Sequence, residues 1–276
     1  MNEKILNVKE LEEEINSSLD SRTVAEIRFR GVTPWWGGDA NDEDEIAGRL
    51  RWFLRTVYNR FCAKDLSSYM ESENFVSQFL GSESSASMYS FSVSNVQFDE
   101  TNSRSLYRNL ERFNFLSLDK KKGITPPIDI KSFDLIILKN MDDEKYDTII
   151  VGGLLITLAY LGIGRVANRG FGRFIPVQCP VIAKEVCENV IKGNVVNAFN
   201  SYYNIFKSIL KCNGNNDWKL SKVPLAPQLQ GEEADTITEI KCEDKKVISL
   251  LNAIDRAFLK NTIKVNYYRR IFKQPG

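Results

Sequence analysis

The longest apolar stretch of the sequence is TIIVGGLLITLAYLG, which runs from Thr148 to Gly162. A membrane-spanning helix needs about 20 consecutive apolar residues, so this shorter stretch predicts a helix buried in a protein core and no membrane partner. A helix that is apolar all round must be covered by other elements. The chain of 276 residues is long enough to supply them in one large or two small domains.

Strand and helix patterns alternate on both sides of this stretch. In order they predict a strand at 23–32, a helix with an apolar stripe from Leu50 to Phe61, one long strand or a strand pair at 87–98, a strand at 133–140, the apolar helix, and a strand ended by Pro176. This order is close to the β-α-β-β-α-β arrangement of ferredoxin-like folds. The sequence therefore predicts an α+β protein in which residues 1–180 form a modified ferredoxin-like (RRM-like) domain with an N-terminal helix.

The pattern changes beyond Pro180. Residues 181–211 and 245–273 have helical patterns, and the polar stretch between them is rich in Pro, Gly and Asn, which predicts a loop or a mobile connector. Residues 181–276 are therefore either a largely helical C-terminal part or a degenerate second ferredoxin-like fold, and the sequence leaves both open. The polar segment at 99–130 predicts an insertion or a projecting loop.

The sequence contains no histidine, and this limits its chemistry. Histidine is the usual general base near neutral pH, the usual partner of a serine or cysteine nucleophile, and a common zinc ligand. The five cysteines have no Cys-x-x-Cys spacing, so a thiolate zinc site is not expected either. Carboxylates with magnesium, or a lysine, are the catalytic possibilities that remain.

An acidic run lies just before the first long predicted helix: Asp39, Asp42, Glu43, Asp44 and Glu45. Carboxylates at this position cap free amides and oppose the helix dipole. We therefore interpret them as a helix start rather than as a magnesium site, and we predict no catalytic residue, no metal site and no cofactor.

Charge and cysteine usage indicate the partners and the compartment. The formal net charge is +1, from 37 basic and 36 acidic residues, so any contact with nucleic acid must rest on a local basic patch. The cysteines are odd in number and follow no secretory signal, which predicts reduced thiols in a cytoplasmic protein.

A glycine-rich loop, GIGRVANRGFGRF, occupies residues 162–174. A P-loop or a dinucleotide fingerprint follows a strand and opens a helix, whereas here a helix ends at Gly162 and a strand begins near Phe171. The order is therefore wrong for a mononucleotide or NAD site. A helix C-cap and turn explains Gly162 and Gly164 but not the rest of the loop.

The composition of the loop suits an RNA backbone. Glycines let a main chain approach ribose and phosphate closely and offer amide donors. Arg165, Arg169 and Arg173 recur at every fourth position, and an arginine fork binds phosphate oxygens with two parallel hydrogen bonds.

Three segments together resemble the RAMP superfamily of CRISPR RNA-binding proteins. The first is the spacing Gly-x-Gly-x5-Gly-x-Gly of the glycine loop. The second, VTPWWGGD followed by IAGRLRWFLR, resembles the N-terminal strand–loop–helix of the first-numbered RAMP subunits of the Cmr (type III-B) module. The third, FLGSESSASMYSFSV, resembles their short Leu-Gly-Ser element before a central strand. The segments span about residues 24–177, and the C-terminal third has no matching motif.

The resemblance implies a RAMP domain with the glycine loop beside an RNA-binding face. It also implies a non-catalytic structural subunit of a Cmr effector complex, which contacts the guide RNA near its 3′ end, neighbours other RAMP subunits and takes part in antiviral interference. Target RNA is a further candidate partner. Two alternatives stay open: a RAMP ribonuclease that cuts guide or target RNA, and an interaction subunit without RNA contact.

The RNA-binding candidates form two groups. The loop supplies Gly162, Gly164, Arg165, Arg169, Gly170, Phe171, Gly172 and Arg173. Outside the loop the candidates are Arg51 and Arg55, which share one helix face, and Trp35. Structural roles are the alternative for several of them: Phe171 and Trp35 as packing residues, and the two helix arginines as a solvated flank.

Overall fold

The structure is a computed structural model that describes residues 17, 20–35, 43–98, 130–141, 143–164, 167–212, 221–229 and 235, without the side chain of Arg169. The predicted helix at 245–273, nearly all of the predicted helix at 1–20, and the segment 99–129 lie outside these residues. Within the described ranges, no helix combines the length and the hydropathy that crossing a membrane requires.

The described elements follow the predicted order with one addition. They are β1 (Thr23–Gly31), α1 (Glu43–Phe61), α2 (Met70–Leu80), β2 (Tyr89–Phe98), β3 (Ile130–Lys139), α3 (Asp147–Ile156), a π-helical turn (Thr157–Leu161), a 3₁₀ turn (Ala167–Arg169), β4 (Phe174–Pro176), α4 (Lys184–Ile191) and α5 (Val195–Leu210). The strands form one antiparallel sheet in the order β2-β3-β1-β4. The α+β, ferredoxin-like prediction is therefore confirmed. Helix α2 was not predicted.

The central strands β1 and β3 bury one face of the sheet. Ile27 pairs with Leu135 and Phe29 with Phe133, and all four side chains are buried. The rings of Phe29 and Phe133 stack with centroids 5.5 Å apart. The alternation that predicted a strand at 23–32 thus places one set of side chains in the core.

The apolar helix α3 is buried, as predicted, and two glycines let its neighbours approach closely. A Cβ atom at Gly152 would lie 2.9 Å from the ring of Tyr202 on α5. A Cβ atom at Gly153 would lie 3.0 Å from a methyl group of Leu50 on α1. The glycine pair therefore sets how tightly α3 packs between α1 and α5.

A buried polar group joins the start of α3 to the sheet. An aspartate just before an apolar run predicts a helix cap, and Asp147 has that position in the sequence. In the structure the N-cap position is held by Tyr146, without a side-chain cap hydrogen bond. The Asp147 carboxylate instead accepts a 2.6 Å hydrogen bond from the Tyr89 hydroxyl and lies 3.5 Å from Nζ of Lys139. The capping prediction was wrong because both tertiary partners reach this carboxylate.

The helices beyond residue 180 pack onto the ferredoxin-like elements. Side chains from α4 and α5 contribute to the same hydrophobic core as the sheet, α1 and α3; examples are Val186 and Phe206. Helical structure is therefore confirmed within 181–211.

A segment of the predicted mobile connector is held in place. Ala226 donates its N–H to the carbonyl of Thr56 at 3.0 Å and accepts a 2.7 Å hydrogen bond from Nε of Arg60. Tyr203 on α5 donates its hydroxyl to the carbonyl of Pro227. We call residues 221–229 the strap, because they fasten α1 to α5. This part of the connector has neither helix nor strand, so of the two predicted forms, a loop or a mobile connector, the structure shows a loop.

Four cysteines form two disulfides. Cys62 joins Cys212, with Cα atoms 4.9 Å apart, and Cys179 joins Cys187, with Cα atoms 5.5 Å apart. The prediction of reduced thiols is wrong for these four residues. Sequence spacing did not reveal the first pair because its members are brought together by the packing of α1 against α5.

We predict that Tyr89→Phe lowers the free energy of unfolding by about 2 kcal/mol, because it removes a donor to the buried Asp147 carboxylate. Urea denaturation followed by circular dichroism measures the change. The control is Tyr69→Phe, whose ring is 42% exposed, and we expect it to shift stability by less than about 0.5 kcal/mol. Equal effects of both variants would contradict the role of the buried hydrogen bond.

Candidate functional site

The four glycines of the glycine loop have backbone conformations that explain their spacing. Gly162, Gly164, Gly170 and Gly172 have φ angles of 69°, 83°, 92° and 64°, respectively. Residues with a Cβ atom rarely adopt these angles. The Gly-x-Gly-x5-Gly-x-Gly pattern therefore marks two turns, one at each end of the loop.

The two ends of the loop touch backbone to backbone. Ile163 donates its N–H to the carbonyl of Gly172 at 3.0 Å. A Cβ atom at Gly172 would overlap the carbonyl oxygen of Ile163, and one at Gly162 would overlap that of Phe171. Because glycine has no side chain, the two ends can meet and close the loop, with residues 164–170 between them.

The chain that follows β1 holds the C-terminal end of the loop. Gly172 donates its N–H to the carbonyl of Pro34 at 2.7 Å. Val32 and Thr33 both donate their N–H groups to the carbonyl of Arg173, and Arg173 donates its own to Oγ1 of Thr33. The Thr-Pro element of the second motif is therefore a cradle for the glycine loop.

Arg49 of α1 holds the N-terminal end of the loop. Its Nε donates to the carbonyl of Gly162 and its Nη2 to the carbonyl of Leu161, both at 3.1 Å. These carbonyls end a helical segment, where a cation is favourable. Burial lowers the pKa of Arg49, and the guanidinium also lies 5.2 Å from the ring of Trp52. Arg49 was not among the site residues predicted from the sequence.

The two aromatic candidates are buried. Trp35 is 3% exposed, donates its Nε1–H to Glu45 at 2.7 Å and packs edge-on against Phe174. Phe171 is 2% exposed. Neither ring has a free face on which a base stacks, so the structure favours the packing roles that were the alternative for both.

The two arginine candidates on α1 contact α2. Arg51 bonds Glu73 at 2.9 Å and also donates to the carbonyls of Leu80 and Gly81, which end α2. Arg55 pairs with the other oxygen of Glu73 at 3.0 Å. These guanidinium groups therefore fasten α2 to α1, a role that differs from both RNA contact and a solvated flank.

Arg173 is the loop arginine whose side chain the structure describes most fully. Its Nε is shielded from solvent and has no hydrogen-bond partner, and its guanidinium has no carboxylate partner within the described ranges. The Tyr160 hydroxyl, which interacts electrostatically with Arg173, is also buried without a partner there. Burial lowers the pKa of Arg173 and raises the pKa of Tyr160 to about 12.

The side chains of the other two loop arginines lie outside the described part of the structure. Arg165 lies outside the described residues, and the backbone of Arg169 ends the 3₁₀ turn that begins at Ala167. Gly170 donates its N–H to the carbonyl of Ala167, which closes this turn. Their proposed contacts with phosphate stay predictions.

The acidic run opens α1, as predicted. Glu43, Asp44 and Glu45 lie in its first turn, whereas Asp39 and Asp42 lie outside the described residues. Glu43 accepts a hydrogen bond from the N–H of Val93 on the edge strand β2. In the described part of the chain, no group of three acidic, cysteine or histidine side chains is arranged to hold a metal ion.

Comparisons with known proteins agree on the family and the fold. The model of the RAMP superfamily matches residues 28–175, more than half of the chain. The crystal structure of apo Cmr1 from Pyrococcus furiosus is similar, with a TM-score of 0.60 and 16% identity over 91% of this chain and 76% of that chain. No curated protein matches the sequence.

Two cryo-EM structures contain similar chains. One is the Type III-B Cmr-beta bound to cognate target RNA, with a TM-score of 0.50 and 15% identity over 74% of this chain and 66% of that chain. The other is the same assembly with AMPPnP in the presence of ssDNA, with a TM-score of 0.50 and 15% identity over 76% and 68%. Identities this low show a shared fold.

We predict that Gly172→Ala lowers the free energy of unfolding by about 2–4 kcal/mol, because the new methyl group meets a carbonyl oxygen at a positive φ angle. The control is Gly48→Ala on an open face of α1, which has no atom within 4 Å of the added Cβ and should gain about 0.5–1 kcal/mol. Chemical denaturation measures both. A Gly172→Ala variant as stable as the parent chain would contradict the close backbone contact.

Proposed function

This chain belongs to the RAMP superfamily, as its three motifs predict, and we propose that it is an RNA-binding structural subunit of a type III-B CRISPR (Cmr) effector complex. In this proposal it contacts the guide RNA near its 3′ end, lies beside other RAMP subunits and takes part in antiviral interference. The fold that it shares with Cmr1, and with a chain of Cmr-beta bound to target RNA, supports the proposal.

The observation that carries the proposal is the state of Arg173. Among the described residues the Arg173 guanidinium has lost part of its hydration without meeting a carboxylate, which is an unfavourable state for a charged group. Burial lowers the pKa of Arg173, yet an arginine side chain keeps its proton at neutral pH. A phosphate group at the glycine loop would supply the missing negative charge.

The Tyr160 hydroxyl offers a second donor for the same anion. Its pKa of about 12 means that it keeps its proton at neutral pH and donates a hydrogen bond. In our proposal Arg173 and Tyr160 bind one phosphate of the RNA, and Arg165 and Arg169 bind its neighbours. Contacts of this kind read the backbone and not the base sequence.

We also propose that the subunit does not cut RNA. The chain has no histidine to serve as a general base, and Glu43 and Glu45, which open α1, are already bonded to Val93 and Trp35. The ribonuclease alternative therefore rests on other carboxylates, such as Asp44 in the same helical turn, or on a lysine.

Two arginine-to-methionine variants separate RNA binding from folding. We expect Arg173→Met to keep or raise the free energy of unfolding, because it removes an uncompensated charge, and to weaken RNA binding about tenfold. For single-stranded RNA the log–log salt slope should fall by about 0.7, the value for one phosphate contact. Fluorescence anisotropy with unrelated RNAs across a salt series measures affinity and slope.

Arg51→Met is the matched control. It removes the same charge from the helix contact with Glu73 and the end of α2, so we expect it to lower stability and to leave the salt slope unchanged. The proposal fails if Arg173→Met destabilises the fold while RNA affinity and slope stay at the parent values. That result would mean that Arg173 supports the fold or a neighbouring subunit.

We predict no cleavage of guide or target RNA by the purified chain, with or without divalent metal ions. Incubation with end-labelled RNA and separation on a denaturing gel measures cleavage. Activity that persists through repurification and disappears in Asp44→Ala would establish the ribonuclease alternative. Sequencing the RNA that co-purifies with the native complex tests the guide-RNA partner independently.

A further inference from the structure

A cavity of about 680 Å³ opens at the far end of α1 from the glycine loop. Arg49, which contacts the loop, and Cys62, which lines the cavity, are 13 positions apart, or about 20 Å along a helix. The cavity lies between the C-terminal ends of α1, α2 and α5. Its size is within the range of roughly 300–1,000 Å³ that is usual for small-molecule sites.

Aromatic rings form the inner wall of this cavity. Tyr58 and Phe75 stack with centroids 4.6 Å apart, and Tyr146 adds a third ring. Phe75 is buried and Tyr58 half-buried, so their contact is fixed before any ligand arrives. A wall of this kind favours a planar, apolar ring.

The rim of the cavity is basic. Lys64 and Lys211 are exposed, and neither ammonium group has an ion-pair partner within the described ranges. Glu71, the nearby carboxylate, already accepts the backbone N–H groups of Lys64 and Asp65. Glu71 keeps its negative charge, but within the described part of the chain neither ammonium group forms an ion pair with it, so both can contact an anion; Gln78 lines the same cavity.

A covalent link fixes the shape of the cavity. The Cys62–Cys212 disulfide forms part of its wall and joins the chain just after α1 to the chain just after α5. Lys64 and Lys211 lie within two residues of these cysteines. The disulfide therefore keeps the two lysines, which belong to segments distant in sequence, at the same opening of the cavity.

We propose that this cavity binds a nucleoside phosphate, with the base against the aromatic wall and the phosphate between Lys64 and Lys211. The amide of Gln78 offers both a donor and an acceptor to the polar edge of a base. The ligand is either a free nucleotide or the phosphorylated end of an RNA strand, because both present a base next to a terminal phosphate. The site does not depend on the glycine loop.

Calorimetric titration of the full chain with AMP tests this proposal. We expect saturable binding, and binding at least tenfold weaker for inorganic phosphate alone and for adenosine alone. The Lys64→Ala/Lys211→Ala variant should weaken AMP binding at least tenfold. The control, Lys184→Ala/Lys192→Ala, removes equal charge from α4, where both lysines lie near Glu188, and should bind AMP like the parent chain.

Further variants distinguish this site from the proposed RNA contact at the loop. Arg173→Met should leave AMP binding unchanged, and Gln78→Leu should weaken it without a change in charge. In the Arg173→Met variant, a 5′-phosphorylated oligonucleotide that binds as tightly as AMP, and at least tenfold more weakly after Lys64→Ala/Lys211→Ala, identifies an RNA end as the ligand, whereas tight binding of AMP alone identifies the free nucleotide. Absence of saturable AMP binding, or equal losses in the two lysine variants, overturns the proposal.

Discussion

The glycine loop depends on the contact of two backbone segments at Gly162 and Gly172, where no side chain stands between them. The contact ties the end of the buried helix α3 to the start of β4. Since β4 has only three residues, its place on the sheet edge is set as much by the loop and by Pro34 as by its own pairing with β1. The RNA contact that we propose therefore rests on main-chain geometry before any charged side chain acts.

Much of this arrangement was predictable from the sequence, because apolar periodicity reports burial directly. The run at 148–162 could only be a buried helix, and the alternation at 23–32 could only place one face in a core. The loop spacing was equally informative, because glycine adopts a positive φ angle at a lower energetic cost than any other residue. The family followed from that spacing and from the order of two further motifs.

Side-chain partners were harder to predict, because they depend on which elements meet. Arg51 and Arg55 have the spacing of an exposed basic face, yet α2 brings Glu73 to both of them. Missing α2 therefore also meant missing their role. Trp35 has a ring that could stack on a base, but the side chain is buried and its indole N–H donates a hydrogen bond to Glu45. The state of Arg173 was not predictable, because no local sequence pattern reveals that its guanidinium is shielded and meets no carboxylate among the residues that the structure describes.

The strap has a consequence for the order in which the chain becomes structured on the ribosome. Arg60 donates to the carbonyl of Ala226, a residue 166 positions later in the chain. At a synthesis rate of about 5–20 residues per second, the growing chain exposes the polar end of α1 for on the order of ten seconds before the strap emerges. This part of α1 is thus made early and covered late, and a nascent-chain chaperone would encounter that surface throughout the interval.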